Sequence, residues 1–145
     1  MLRILMIAAL IAPSCGGDDK CCRLVDAPII PPDVPDECAG PGREKIRFAR
    51  TESCVNDGAV EWCIPDRNNA ELLATLATIS SKIHCALGGG RANCGSGGQL
   101  LCSYPTNYPE ECTSLHGQMT PEVWDDICAV AARSEVVEIV PMFAE

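Results

Sequence analysis

Large aromatic residues are scarce in this chain: two Trp, two Tyr and two Phe make up 4% of 145 positions. So few rings leave a modest core, which other constraints must supplement. Cations are scarce as well. Eleven Lys and Arg stand against 20 Asp and Glu, a formal net charge of −9. Nucleic acid as a partner is excluded, because it demands a concentrated basic surface. The run Ile4 to Ala12 is apolar without a break, but it falls well short of the ~20 residues a membrane-spanning helix needs. No other segment approaches that length, and there is no internal repeat.

Motifs that carry chemistry are missing too. A disulfide oxidoreductase is expected to show Cys-x-x-Cys, and none occurs. Structural zinc sites pair cysteines two to four residues apart. Here, from Cys22 onward, the nearest cysteines are Cys94 and Cys102, with seven residues between them. No metal and no cofactor are expected. Gly-x-Ser-x-Gly is absent, and the glycine-rich stretch 88–98 lacks the Gly-Lys-Ser/Thr ending of a phosphate loop. It reads as a loop pinned by Cys94. His84 and His116 are the only histidines. His84, beside an apolar stripe, reads as a half-buried structural residue, and His116 as a solvated loop residue. No catalytic residue is assigned, and the expected function is non-enzymatic.

Cysteine is what the chain has in quantity: 11 residues, close to the level that marks a disulfide scaffold in a short secreted protein. The first 14 residues, MLRILMIAALIAPS, have the layout of an export signal: Arg3, then the apolar run, then small residues. The stretch Ile11-Ala12-Pro13-Ser14-Cys15-Gly16-Gly17-Asp18-Asp19 resembles the processing site of a bacterial lipoprotein. The resemblance covers residues 1 to about 20 and says nothing of the fold that follows. It implies cleavage before Cys15, lipid on that cysteine and a membrane anchor through it. Gly16, rather than Asp, after the cysteine implies the outer membrane of the cell envelope. Ala12 and Pro13 depart from the commonest pattern of that class. The alternative is an ordinary secretory cut at the same bond, yielding a soluble secreted protein. With Cys15 lipidated, ten cysteines remain to form disulfides: Cys21, Cys22, Cys38, Cys54, Cys63, Cys85, Cys94, Cys102, Cys112 and Cys128.

The chain divides into a signal peptide (1–14), a Pro- and Gly-rich tether or strap (15–42) and a single disulfide-stabilised globular domain (43–145). The tether carries five prolines and, beyond Cys15, three cysteines. Proline fixes φ and lacks an amide donor, which rules out a regular helix there. Three cysteines are an odd number, so full pairing within one chain requires at least one bond to the body. Cys21 and Cys22 are expected to reach different partners.

In the body, Ile46 and Phe48 alternate with cations, and Val60, Trp62 and Ile64 alternate across Asn56-Asp57-Gly58. That predicts a hairpin. Leu72, Leu76, Ile79, Ile83 and Leu87 recur at helical spacing, predicting a core-facing helix ended by Gly88-Gly89-Gly90. Gln99 to Tyr104 reads as a short strand, and 105–119 as irregular. Thr120-Pro121-Glu122 opens a second helix by capping, ring geometry and dipole, with Trp124, Ile127 and Val130 facing the core. Glu135 to Met142 reads as a closing strand. The fold class is α+β: a small antiparallel or mixed sheet on two helices, rich in disulfides.

Arg43, Lys45, Arg47 and Arg50 place four cations on the first predicted strand. An envelope protein or an anionic envelope component that meets this basic edge is the second expected partner, beside the membrane. A secreted inhibitor, or a small enzyme without a readable motif, is the alternative to a binding or structural module.

Overall fold

The computed structural model describes residues 36–54, 58–66, 68–95 and 98–142. The expectations for Cys15, Cys21, Cys22 and the segment up to residue 35 lie outside them. The described chain forms β1 (Gly58–Ile64), α1 (Ala70–Ile79), β2 (His84–Ala86), β3 (Leu100–Thr106), α2 (Pro121–Ala131) and β4 (Val140–Met142). Two short 3-10 turns, Arg43–Lys45 and Arg50–Glu52, precede them. The strands make one antiparallel sheet in the order β2-β3-β1-β4. The fold is α+β, with two helices, four strands and four disulfides.

The β1–β3 register sets Val60 opposite Tyr104 and Trp62 opposite Cys102. These side chains occupy one sheet face, since strand side chains alternate, and all four are buried. They form one cluster with Leu72 and Leu76 of α1 and Val123, Trp124, Ile127 and Val130 of α2. Each helix is started by its own cap. The Asn69 side chain accepts from the Leu72 amide at 2.9 Å, and Thr120 Oγ1 accepts from Val123 at 3.4 Å. Pro105 is tolerated within β3 because β2 pairs only with Leu101–Ser103, leaving that side of β3 without a ladder around the proline. Pro141 lies in β4, at the sheet edge.

Several expectations are corrected. Two 3-10 turns, Arg43–Lys45 and Arg50–Glu52, with irregular backbone between them, stand in place of the expected first strand of a hairpin. Both sides of β1 are taken by β3 and β4. Ile46 keeps only one parallel bridge, to Ile139. Gly42, at φ 116°, turns the chain there, and a Cβ on it would lie 2.5 Å from the Ala131 backbone. The helical stripe stops at Ile79. Ser80 is extended, Ile83 is half-buried, and Leu87 is 71% exposed beyond β2. The spacing of Ile83 and Leu87 coincides with a helical period, but ladder bonds to β3 and the Cys85–Cys102 disulfide draw this segment into the sheet. Gly88–Gly90 therefore follows a strand, and His84 is exposed on the edge strand rather than half-buried. Of the closing segment only Val140–Met142 is strand, while Val136 and Ile139 fill the core from irregular backbone.

Candidate functional site

The four cations of the expected basic edge are each engaged by groups within the chain. Arg43 Nη2 pairs with Asp36 Oδ2 at 2.9 Å, and its guanidinium lies 5.6 Å from the Trp124 ring centroid. Lys45 Nζ donates to the Arg133 carbonyl at 2.7 Å, and Arg47 Nε pairs with Glu138 at 3.3 Å. Arg50 is 1% exposed and points inward. Arg50 is thus taken into the interior, whereas Arg47 stays exposed in a surface pair.

What the buried polar residues build instead is a pair of clamped loops. The first runs from Asn107 to Thr120. Arg50 Nε and Nη2 both donate to the Met119 carbonyl, at 3.2 and 3.1 Å, and the Met119 amide donates to Ser53 Oγ at 2.9 Å. The buried Glu111 carboxylate accepts from the Asn107 amide at 3.1 Å and from Lys82 Nζ. The Cys54–Cys112 disulfide and a Cys112–Met119 bridge close the base. Buried polar groups are costly unless satisfied, so three of them converging on one loop base fix it in place.

Above that base, the Thr113 amide donates to the Gln118 carbonyl at 2.9 Å and Gly117 to Ser114 at 3.2 Å. These bonds make a tight turn with Leu115 and His116 at its centre. A side chain on Gly117 would collide with Ser114 Oγ. Leu115 is 57% exposed, and Ser114 and His116 are exposed beside it. The turn is thus rigid at its base and presents an apolar side chain and an imidazole to solvent.

The second loop follows β2. Glu61, in the middle of β1 and 2% exposed, accepts from the Arg91 amide at 2.7 Å and the Ala92 amide at 3.4 Å. Gly90, at φ 53°, lies so close to Glu61 Oε2 that a Cβ would meet it. The Cys63–Cys94 disulfide ties the same loop to β1. Each loop therefore has one disulfide and one buried carboxylate at its root.

A further polar group joins the helices to the sheet. Ser80 Oγ donates to Tyr104 Oη at 3.3 Å, and Tyr104 donates to Asp126 Oδ2 at 2.9 Å. Burial is the chief cause that pushes the Tyr104 phenol above its ordinary value, and the Asp126 carboxylate adds to it. Lys82 is raised as well, first by its hydrogen bond to Glu111.

Eight of the ten cysteines expected to form disulfides are joined: Cys38 to Cys128, Cys54 to Cys112, Cys63 to Cys94 and Cys85 to Cys102. All seven cysteines of the body are taken, six by one another and Cys128 by Cys38. No body sulfur is left for Cys21 or Cys22, whose own bonds lie outside the described residues. Among the described residues no group of three or more His, Cys, Asp or Glu is arranged to hold a metal ion. His84 and His116 sit on separate elements, one on the edge strand and one on the clamped turn. Arg50, Ser53, Glu61 and Glu111 escaped the sequence reading. The one legible signal was Glu61, an acid in the middle of an apolar alternation.

The fold and these loops define a small disulfide-clamped α+β domain with rigid surface loops. No protein family, no curated protein and no solved structure matches the chain. Four disulfides in so small a body point to an oxidising, extracytoplasmic compartment. Among the described residues no helix is long and apolar enough to cross a membrane.

Proposed function

We propose that this protein is exported, tethered to a bacterial envelope membrane through lipid on Cys15, and acts there as a non-enzymatic binding module. The observation that carries the binding role is the turn 113–118. Its base holds three buried polar residues and a disulfide, while its centre is exposed. Pre-organised loops bind at a lower entropic cost than mobile ones. Such an investment of buried polarity at one base is well explained if the tip meets a partner. That partner is an envelope protein with an apolar recess for Leu115 and a polar group facing His116.

The inhibitor reading has some support from the same loop. A substrate-mimicking inhibitor needs an extended segment, however, and Ser114–Gly117 is closed on itself by a hydrogen bond. A turn-binding partner therefore suits the geometry better than a protease cleft.

The anchor is tested by fractionation. Cys15→Ser should move the protein from the membrane to the soluble fraction, and the wild-type N-terminal peptide should carry the mass of the lipid. Membrane retention of the variant, with an unmodified wild-type N-terminus, overturns the anchor. The binding role is tested by a photo-crosslinker at position 115 in cells, with position 137 as the control. Val137 is 78% exposed but lies outside the clamped loops. A discrete adduct from 115 alone is expected. Equal yields from both positions overturn the role assigned to the turn.

A further inference from the structure

The four disulfides differ in what surrounds them. Cys54 and Cys112 are both buried, and Cys94 and Cys102 are the buried halves of their pairs. Among the described disulfides, only in Cys38–Cys128 is neither residue buried. A groove of about 330 Å3 lies against Cys128, lined otherwise by Ala39, Gly40, Ala129, Ala132 and Asp125. Its side chains are small, so a reagent or a protein loop meets little obstruction on the way to the sulfur. Access is one of the factors that set the rate of thiol–disulfide exchange.

We infer that Cys38–Cys128 is a switchable staple: the disulfide that a protein dithiol of the Cys-x-x-Cys class opens while the other three stay closed. A thiolate of the reductant attacks the sulfur of Cys128, the half-cystine that lines the groove. The Sγ–Sγ bond breaks, and Cys38 leaves as a thiolate that takes a proton from solvent. The second reductant thiol then attacks the mixed disulfide and frees Cys128. One dithiol is oxidised to a disulfide, and one cystine is reduced to two thiols.

Opening the staple frees residues 38–41 from α2. The staple spans 90 residues of sequence, yet it closes no part of the sheet. What then holds the segment is Asp36, which accepts from the Arg50 amide at 2.6 Å and pairs with Arg43. Residues 36–41 pass from a covalently fixed state to an exchanging one. The inference depends neither on the lipid at Cys15 nor on a partner for Leu115, and its test involves neither.

The test is a timed reduction of the full chain with dithiothreitol, followed by acid quench, alkylation and peptide mapping. Cys38 and Cys128 are expected to be alkylated first, with the other three pairs still closed. Earlier opening of any of those three, or opening of all four together, overturns the proposal. Hydrogen exchange of the Cys38→Ser, Cys128→Ser variant provides the second measurement. Loss of protection at the Arg50 amide, which donates to Asp36 of the segment, with α2 and the sheet still protected, is the expected result. Unchanged exchange at the Arg50 amide, or lost protection across the sheet, overturns it.

Discussion

Leu76 and Leu87 belong to one apolar periodicity but have opposite fates, and they provide a direct check on the core. Leu76 is 1% exposed and Leu87 is 71% exposed. Leu76→Ala should cost about 2–5 kcal/mol in urea unfolding, the range for an aliphatic core truncation. Leu87→Ala should stay within ~0.5 kcal/mol, as surface substitutions do. Tyr104 supplies a pH-dependent check. Its phenol is raised above the ordinary value, first by burial and further by Asp126. The folded state then holds its proton at a pH where the unfolded chain has lost it. Stability is therefore full below the unfolded value of about 10 and declines as pH rises through the folded value. Tyr104→Phe should flatten that alkaline decline in urea midpoints between about pH 9 and 11. Lys82, raised in the same direction, keeps part of the slope.

Among the elements, the clamped turn makes the strongest demand on buried polarity. Glu111 joins Lys82 of the segment after α1 to Asn107 at the loop start, and its own carbonyl accepts from Thr120, the cap of α2. Glu111→Gln should cost about 1–3 kcal/mol, since a buried acceptor of two donors loses its charge. Faster hydrogen exchange should then be confined to 107–120. Exchange that instead rises evenly through the sheet would show that the carboxylate supports the core rather than the loop. The loop that follows β2 provides a comparison, because Glu61 holds it from the other side of the sequence.

For the whole molecule, the sulfur connectivity decides how the N-terminal segment relates to the body. Every body cysteine is occupied, and the only tether cysteine bonded to the body among the described residues is Cys38. Non-reducing peptide mapping should yield those four linked pairs and a fragment with Cys21 and Cys22 that carries no body peptide. A body peptide attached to that fragment would contradict the connectivity. Removing a native disulfide from a small secreted domain typically costs about 2–5 kcal/mol, and with two buried tryptophans as the main rings the body has little to offset such a loss.

Local chemistry determined much of this from the residues alone. The cap of the second helix, the strand around Leu100, the α+β class and the disulfide density were all legible, because each depends on neighbours in sequence or on composition. The strand Gly58–Ile64 was legible as well, but its partners were not. The sequence pointed to Ile46 and Phe48, whereas the sheet pairs β1 with β3 and β4, a choice that turns on which distant edges fit together. The stripe through Ile83 and Leu87 failed for the same reason: ladder bonds and a disulfide to β3 outweighed a helical period. Only the tertiary structure brought Arg50, Ser53, Cys54 and Glu111 to one loop base, from positions up to 69 residues apart from the Met119 that Arg50 holds. A buried charge reads in sequence like any surface charge. Its role appears only when the chain has closed around it, taken it out of water and set an acceptor or donor beside it.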